Sequence, residues 1–133
     1  MTEQLSPLAL QALAVVEESG AIISANHAHP HTIRHKGRID LVTETDIAVE
    51  AFLKERLATL APQAGFLAEE SAEDLSLPDT CWIIDPVDGT TNFAHGLPLT
   101  VTSVAYRLNG EIVLGIVNAP LLRECFIAEK GKG

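Results

Sequence analysis

The sequence predicts an α+β domain in which two helices pack on a mainly antiparallel sheet. Helical apolar patterns occupy most of the first 60 residues, whereas short apolar runs separated by turn residues follow them. Asn109-Gly110 lies between two of these runs and is a strong hairpin signal, because both turn residues must accept a positive φ. The length of 133 residues and the hydrophobic content of 47% are typical of one domain with its own core.

The first helix has a start signal and an apolar face. Ser6 is placed as its N-cap and Pro7 as its first residue, and apolar or small side chains recur at helical spacing as far as Ile23. Residues 26–38 hold four histidines, a proline and a glycine without any period. This composition predicts a loop after the helix.

The second helix is expected to begin at Thr45 or Asp46, because either side chain is a suitable N-cap. An apolar face follows at helical spacing, and the helix is expected to end before Pro62 and Gly65. From Gly65 onward the pattern changes to short runs of β-forming residues. Strands are predicted over residues 65–68, 81–84, 101–108, 111–118 and 123–128.

The charge balance argues against several classes of partner. The formal net charge is −9, which has the wrong sign for binding nucleic acid or anionic membranes. Glu17 and Glu18 interrupt the apolar amino-terminal stretch, so the sequence predicts neither a signal peptide nor a membrane span, and we expect a cytoplasmic protein. Cys81 and Cys125 lie in separate apolar runs and are expected to be buried free thiols.

The candidate chemistry is concentrated in residues 82–93, where two aspartates lie three positions apart. Asp85 and Asp88 flank Pro86 and Val87 at the end of a predicted strand, so both carboxylates and the Val87 carbonyl can converge on one point. Oxygen ligands of this kind favour Mg²⁺ or Mn²⁺ over zinc. Asp, Pro and Gly are also typical turn residues, and a plain turn is the alternative interpretation of so short a pattern.

A phosphate site and a second acidic pair are predicted beside these aspartates. The backbone N–H groups of Gly89 and Thr90, at the expected start of a short helix, are suited to binding an anion. Glu69 and Glu70 follow another predicted strand, and one of them would lie beside Asp85 if the two strands end at the same edge of the sheet. Metal and phosphate would then meet at one loop.

The longer string around the aspartates resembles the signature of a known family. Residues 82–93 read Trp-Ile-Ile-Asp-Pro-Val-Asp-Gly-Thr-Thr-Asn-Phe and are followed by Leu97-Pro98. This string is similar to the signature of the inositol monophosphatases, which are Mg²⁺-dependent, lithium-sensitive sugar phosphatases. Three further blocks match that family in the same order, and they lie within residues 36–46, 68–71 and 129–133.

The resemblance implies a site with two divalent ions. Glu69, Asp85 and the Val87 carbonyl would hold the first ion, while Asp85 and Asp88 would hold the second. Two ions placed in this way clamp the attacking water and the leaving oxygen of an in-line displacement. The residues implied to surround the substrate are Glu69, Val87, Asp88, Gly89 and Thr90.

The resemblance also implies catalytic roles. Thr90 and Glu69 would orient and activate the nucleophilic water, with Asp46 hydrogen-bonded to the Thr90 hydroxyl. A plain helix cap is the alternative role for Asp46. Lys36 matches a lysine near the family's active site, and a solvated loop residue is its alternative role. No zinc site is expected in the segment that holds His27, His29, His31 and His35.

The resemblance covers only part of the family's length. It implies that residues 1–133 form a metal- and phosphate-binding amino-terminal domain with an incomplete inositol monophosphatase-like fold, lacking the carboxy-terminal domain and its Trp-Asp-x-Ala-Ala-Gly-like motif. The implied activity is Mg²⁺-dependent hydrolysis of a small sugar or polyol phosphate such as inositol 1-phosphate, by a homodimer when full length. Alternatives are histidinol phosphate or fructose 1,6-bisphosphate as the substrate, or a non-catalytic metal-binding or interaction module.

Overall fold

Two helices pack on a five-stranded mixed sheet, which confirms the predicted α+β fold. The structure is a computed structural model that describes residues 4–27, 35–68, 79–88 and 100–131. Its elements in chain order are α1 (Pro7–His27), α2 (His35–Leu60), β1 (Gly65–Ala68), β2 (Cys81–Asp88), β3 (Val101–Leu108), β4 (Glu111–Ala119), a 3-10 helix (Pro120–Leu122) and β5 (Glu124–Glu129).

The five strands lie side by side in chain order. β1 is parallel to β2, and every later neighbouring pair is antiparallel. Asn109 and Gly110 form the predicted hairpin turn between β3 and β4 with φ values of 51° and 83°. The Gly110 N–H donates a hydrogen bond of 2.8 Å to the carbonyl of Asp79, which attaches this turn to the start of β2.

The start of α1 is the capped helix terminus that the sequence predicts. The Ala9 N–H donates to Ser6 Oγ at 3.1 Å, which satisfies one of the N–H groups that a helix start leaves without an internal partner. The Ser6 N–H in turn donates to Glu129 Oε1 at 2.9 Å. The N-cap therefore also ties the beginning of α1 to the end of β5.

The apolar character of α1 is explained by burial against the rest of the fold. Residues 7–26 are long and apolar enough, by length and composition, to cross a membrane. A helix with one side buried in a protein core passes the same test, and in α1 the side chains of Ala12, Val16 and Ile23 are fully buried. Glu18 on the opposite side forms an ion pair with Arg56 of α2 at 2.9 Å.

The structure corrects the predicted loop and the predicted start of the second helix. α1 continues to His27 and α2 already begins at His35, so both ends of the predicted loop over residues 26–38 are helical. Thr45 and Asp46 are therefore interior residues of α2 rather than N-caps. Both are buried, and Thr45 Oγ1 accepts a hydrogen bond of 2.7 Å from Asn26 Nδ2 of α1. Packing of α2 against α1 overrides the local capping signal.

The two faces of the sheet have different environments. The face that packs against α1 and α2, called here the helix face, carries buried side chains such as Trp82, Ile84 and Val104. Trp82 packs on Tyr106, its partner across β2 and β3, with the ring centroids 4.4 Å apart. The opposite face, called here the open face, carries alternate residues of the same strands, including Ile83, Asp85, Ser103, Ala105 and Val117.

We expect Gly20→Ala to destabilise the fold. A Cβ atom at Gly20 would lie 2.8 Å from both Asn118 Nδ2 and the Cβ of Pro120, so α1 would have to move away from the sheet. The expected loss is about 1–3 kcal/mol in the free energy of unfolding, measured by urea titration. The steric clash outweighs the gain from the higher helix propensity of alanine. The matched control is Gly115→Ala, because no atom lies within 4 Å of a Cβ built at Gly115. Equal losses in both variants would contradict close contact at Gly20.

Candidate metal and phosphate site

A β-bulge shapes the predicted metal-binding segment. The sequence predicts that β2 ends at Ile84, but the strand continues to Asp88. Asp85 pairs with Ser103 of β3 and Asp88 pairs with Val101, so two residues of β2 lie opposite the single residue Thr102. One extra residue is thus inserted between the two aspartates, which is the definition of a bulge.

Pro86 explains why the bulge lies at this point. Proline has no N–H group to donate to a sheet ladder, and within sheets it occurs at edges or bulges. β1 pairs with β2 only as far as Ala68 opposite Ile84, so Pro86 lies beyond the described part of that ladder. On the other side, Thr102 Oγ1 donates a hydrogen bond of 2.8 Å to the carbonyl of Pro86.

The bulge places both aspartates on the same face of the sheet. In a regular strand, residues three positions apart point to opposite faces. Here the partners of Asp85 and Asp88 are Ser103 and Val101, which are two positions apart on β3 and share the open face. Two carboxylates can therefore be directed to one side of the sheet despite their odd spacing. Their joint ligation of a metal stays a prediction.

The parallel pairing of β1 with β2 bears on the predicted role of Glu69. Because Ala68, the last residue of β1, pairs with Ile84, β1 ends at the level of the residue that precedes Asp85 in β2. The two strands are parallel and lead to the same edge of the sheet, but β2 continues past Ile84 to Asp88. A position of Glu69 beside Asp85 stays a prediction. Glu69, Glu70, Gly89 and Thr90 themselves lie outside the described residues.

The side chains of Asp46 and Val87 lie on the helix face of the sheet. Asp46 belongs to α2 and is 6% exposed, while the Val87 side chain is 3% exposed and belongs to the core beneath the helices. The structure thus brings the Asp85 and Asp88 positions together on the open face and keeps Asp46 on the helix face. The predicted hydrogen bond between Asp46 and Thr90 lies outside the described residues.

A cavity of about 580 Å³ adjoins Asp85 on the open face. Its apolar walls include Leu67, Ile83 and Ala105, and the Asp85 and Ser103 side chains supply polar groups. Clefts that bind ligands are typically lined by apolar side chains, with a few polar groups that orient the ligand, and this cavity has that kind of lining. The polar groups lie at the end of the cavity nearest the bulge, as their strand positions require.

Other candidate ligands do not form a second site within the described residues. No group of three or more His, Cys, Asp or Glu side chains is placed to hold a metal there. Burial raises the pKa of the Cys81 thiol, and burial followed by the charge of Glu17 raises the pKa of the Cys125 thiol, so neither is an activated nucleophile. Both cysteines are free, but Cys125 is only half-buried, which corrects the expectation for that residue. His29 and His31 lie outside the described residues, as do the side chains of His27, His35 and Lys36.

Thr102 contacts the candidate site although no sequence motif marks it. Its hydroxyl is the group that contacts the bulge, yet it belongs to a strand with no chemical motif. A signal was present in the alternation of buried residues that leads into β3. Thr100, just before the strand, and Thr102 occupy the buried positions that precede Val104 and Tyr106. A buried hydroxyl is stabilised by a hydrogen-bond partner, and the Pro86 carbonyl in the neighbouring strand accepts from Thr102.

Comparison with known proteins identifies relatives of the whole chain. Residues 4–133 match the inositol monophosphatase family. An inositol monophosphatase of Dictyostelium discoideum is 44% identical over 126 residues, which cover 92% of this chain and 46% of that protein. A fructose-1,6-bisphosphatase/inositol-1-monophosphatase of Thermotoga maritima is 44% identical over 94 residues, which cover 71% of this chain and 36% of that protein.

Solved structures have the same fold over about half of their length. The crystal structure of the extragenic suppressor protein suhB from Bartonella henselae superposes with a TM-score of 0.77 at 32% identity. The superposition covers 95% of this chain and 48% of that one. The chain likewise spans about half the length of the curated relatives that it matches over most of its sequence.

We expect Thr45→Val to loosen the packing of α2 where it carries Asp46. The substitution replaces the Thr45 hydroxyl, which accepts the 2.7 Å hydrogen bond from Asn26 Nδ2, with a methyl group. The expected cost is about 1–2 kcal/mol of unfolding free energy in urea titration. Thr59→Val is the control, because that hydroxyl bonds to the Arg56 carbonyl within the same helix at an exposed position, and we expect a change below about 0.5 kcal/mol. An unchanged urea midpoint of unfolding in Thr45→Val would contradict a stabilising hydrogen bond between α1 and α2.

Proposed function

Because the chain belongs to the inositol monophosphatase family, we propose that it forms the amino-terminal part of a metal-dependent phosphatase acting on small sugar or polyol phosphates. The family supports phosphatase activity in general, and its members are in general metal-dependent. The observation that carries the proposal is the bulge in β2, which puts Asp85 and Asp88 on one face within the segment that resembles the family signature.

The donor set of this segment suits a hard divalent cation. Asp85 and Asp88 offer carboxylate oxygens, and in the proposal the Val87 carbonyl and Glu69 complete the first shell. Oxygen donors of this type favour Mg²⁺, with Mn²⁺ as a close substitute. When bound, such ions supply electrostatic stabilisation of phosphoryl oxygens and a lowered pKa of water.

The remaining roles belong to the chain's own polar groups. In the proposal, the Gly89 and Thr90 backbone N–H groups bind the phosphate, which favours donors that are fixed before the substrate arrives. The Thr90 hydroxyl and Glu69 orient the attacking water, and Asp46 fixes the Thr90 hydroxyl from the helix face. Burial of Asp46 in α2 supports a fixed position for that carboxylate.

Inositol 1-phosphate is the proposed type of substrate. The Dictyostelium relative is named an inositol monophosphatase, which supports this choice. Fructose 1,6-bisphosphate is the second candidate, because the Thermotoga relative carries both activities in its name. Phosphate release from these two compounds and from histidinol phosphate, assayed with Mg²⁺, distinguishes the candidates. We further propose a cytoplasmic homodimer. The net charge of −9 supports the part of the proposal that leaves nucleic acid and anionic membranes out as partners.

We expect Asp85→Asn to abolish Mg²⁺-dependent phosphate release by a protein that joins this chain to a carboxy-terminal half of the kind its relatives have. The loss of kcat/KM is expected to reach about 10³-fold, because the amide removes a charge that the metal requires. The control is Asp79→Asn, which makes the same change just before β2, where only the backbone carbonyl of the residue has a described contact. Full turnover of Asp85→Asn at saturating Mg²⁺ would remove Asp85 from the mechanism.

We also expect residues 1–133 alone to bind Mg²⁺ weakly and to release phosphate negligibly. The resemblance assigns a further metal-binding aspartate and the wall of the substrate pocket to the half that the relatives add. Without them, positioning and fixed electrostatics are lost, and these supply most of the acceleration in such reactions. Calorimetric Mg²⁺ titration and a phosphate assay beside the longer protein provide the measurement. Comparable turnover by both proteins would show that this half is sufficient.

A further inference from the structure

The Thr102 hydroxyl is buried directly opposite the bulge. Thr102 is fully buried on the helix face, and its Oγ1 donates to the Pro86 carbonyl across the β2–β3 pair at 2.8 Å. It is the single residue of β3 that faces the two residues Pro86 and Val87. The hydrogen bond therefore spans the place where the sheet ladder is interrupted.

The Thr102 hydrogen bond stabilises the bulge at the point where the regular pairing of β2 with β3 is interrupted. A bulge leaves an extra residue without its ladder partner, and a buried carbonyl without a partner costs free energy. If the extra residue moved along β2, the register of Asp85 or Asp88 would shift by one position. A shift of one position turns a side chain to the opposite face of the sheet.

We propose that Thr102 is a positioning residue that fixes the bulge and thereby holds the Asp85 and Asp88 carboxylates on the open face for metal binding. Thr102 acts from the helix face and lies on the opposite side of the sheet from the space where the ion is held. The part of this inference that concerns metal binding rests on the proposed function. The part that concerns the backbone rests on the hydrogen bond alone.

Thr100 provides a matched comparison immediately before β3. It is fully buried, lies two positions before Thr102, and has the same residue type. Its Oγ1 has no hydrogen-bond partner among the described residues. Valine has nearly the same shape as threonine. Thr102→Val therefore removes a hydroxyl that is hydrogen-bonded to the bulge, whereas Thr100→Val removes a buried hydroxyl that is not.

The experiment compares Thr102→Val, Thr102→Ser and Thr100→Val in a protein that joins this chain to a carboxy-terminal half of the kind its relatives have. Amide hydrogen exchange at Val87 and Asp88, measured by NMR without metal, reports on the bulge. Mn²⁺ titration, followed by paramagnetic broadening of the Asp85 and Asp88 amides, reports on the carboxylates. Thr102→Val is expected to speed exchange at the bulge about 2–10-fold and to weaken Mn²⁺ binding about 10-fold. Thr102→Ser retains the hydroxyl and is expected to restore both quantities to within about twofold, and Thr100→Val is expected to change neither.

A general loss of stability is distinguished by a further variant. Ser19→Ala removes another buried hydroxyl bond, from Ser19 Oγ to the Val16 carbonyl at 2.6 Å, but in α1. We expect it to lower the unfolding midpoint without changing Mn²⁺ binding. If Ser19→Ala weakens Mn²⁺ binding as much as Thr102→Val does, Thr102 acts through stability alone and the inference is wrong.

The outcomes also separate this inference from the proposed function. If the wild-type joined protein shows no selective broadening of Asp85 and Asp88, the proposed metal site fails, and the exchange data alone decide whether Thr102 fixes the bulge. If the wild type binds Mn²⁺ and Thr102→Val binds it equally well with unchanged exchange, the proposed function stands and the positioning role is wrong. Failure of Thr102→Ser to recover either quantity also contradicts the role of the hydroxyl.

Discussion

The geometry of the candidate site depends on how a proline is accommodated in β2. Pro86 cannot donate to a ladder, and β1 does not extend far enough in the described chain to require that donor. The antiparallel neighbour β3 adapts by placing one residue opposite two, so the strand continues to Asp88. The face of the sheet to which the two aspartates belong follows from this local change of register.

The two faces of the sheet divide the work of the fold. The helix face buries aromatic and aliphatic side chains against α1 and α2, and this burial is the main source of stability. The open face carries the aspartates beside an apolar cavity. Thr102 connects the two, because a side chain buried on the helix face bonds to the backbone of the segment that carries the aspartates. Core packing and site geometry are therefore not independent in this domain.

The candidate site was predictable to different extents at its different residues. Asp85 and Asp88 lie close together in sequence, so their type and spacing alone suggest a cation site with oxygen ligands. The predicted approach of Glu69 to Asp85 depends on the pairing of β1 with β2, which joins segments 16 residues apart in a parallel register that spacing does not show. Thr102 carries no motif at all, and only the register of β2 against β3 reveals what its hydroxyl contacts.

The sequence by itself determined the features whose causes lie within a few residues. Ser6 caps α1, Asn109-Gly110 turns the hairpin, and a run of β-forming residues forms β3, because local geometry decides each of them. The tertiary structure alone decided that α2 begins at His35 and passes through Thr45, and that β2 bulges at Pro86. In both places a contact from a distant segment, Asn26 in one case and Thr102 in the other, satisfies a polar group that local rules would have assigned to a cap or a turn.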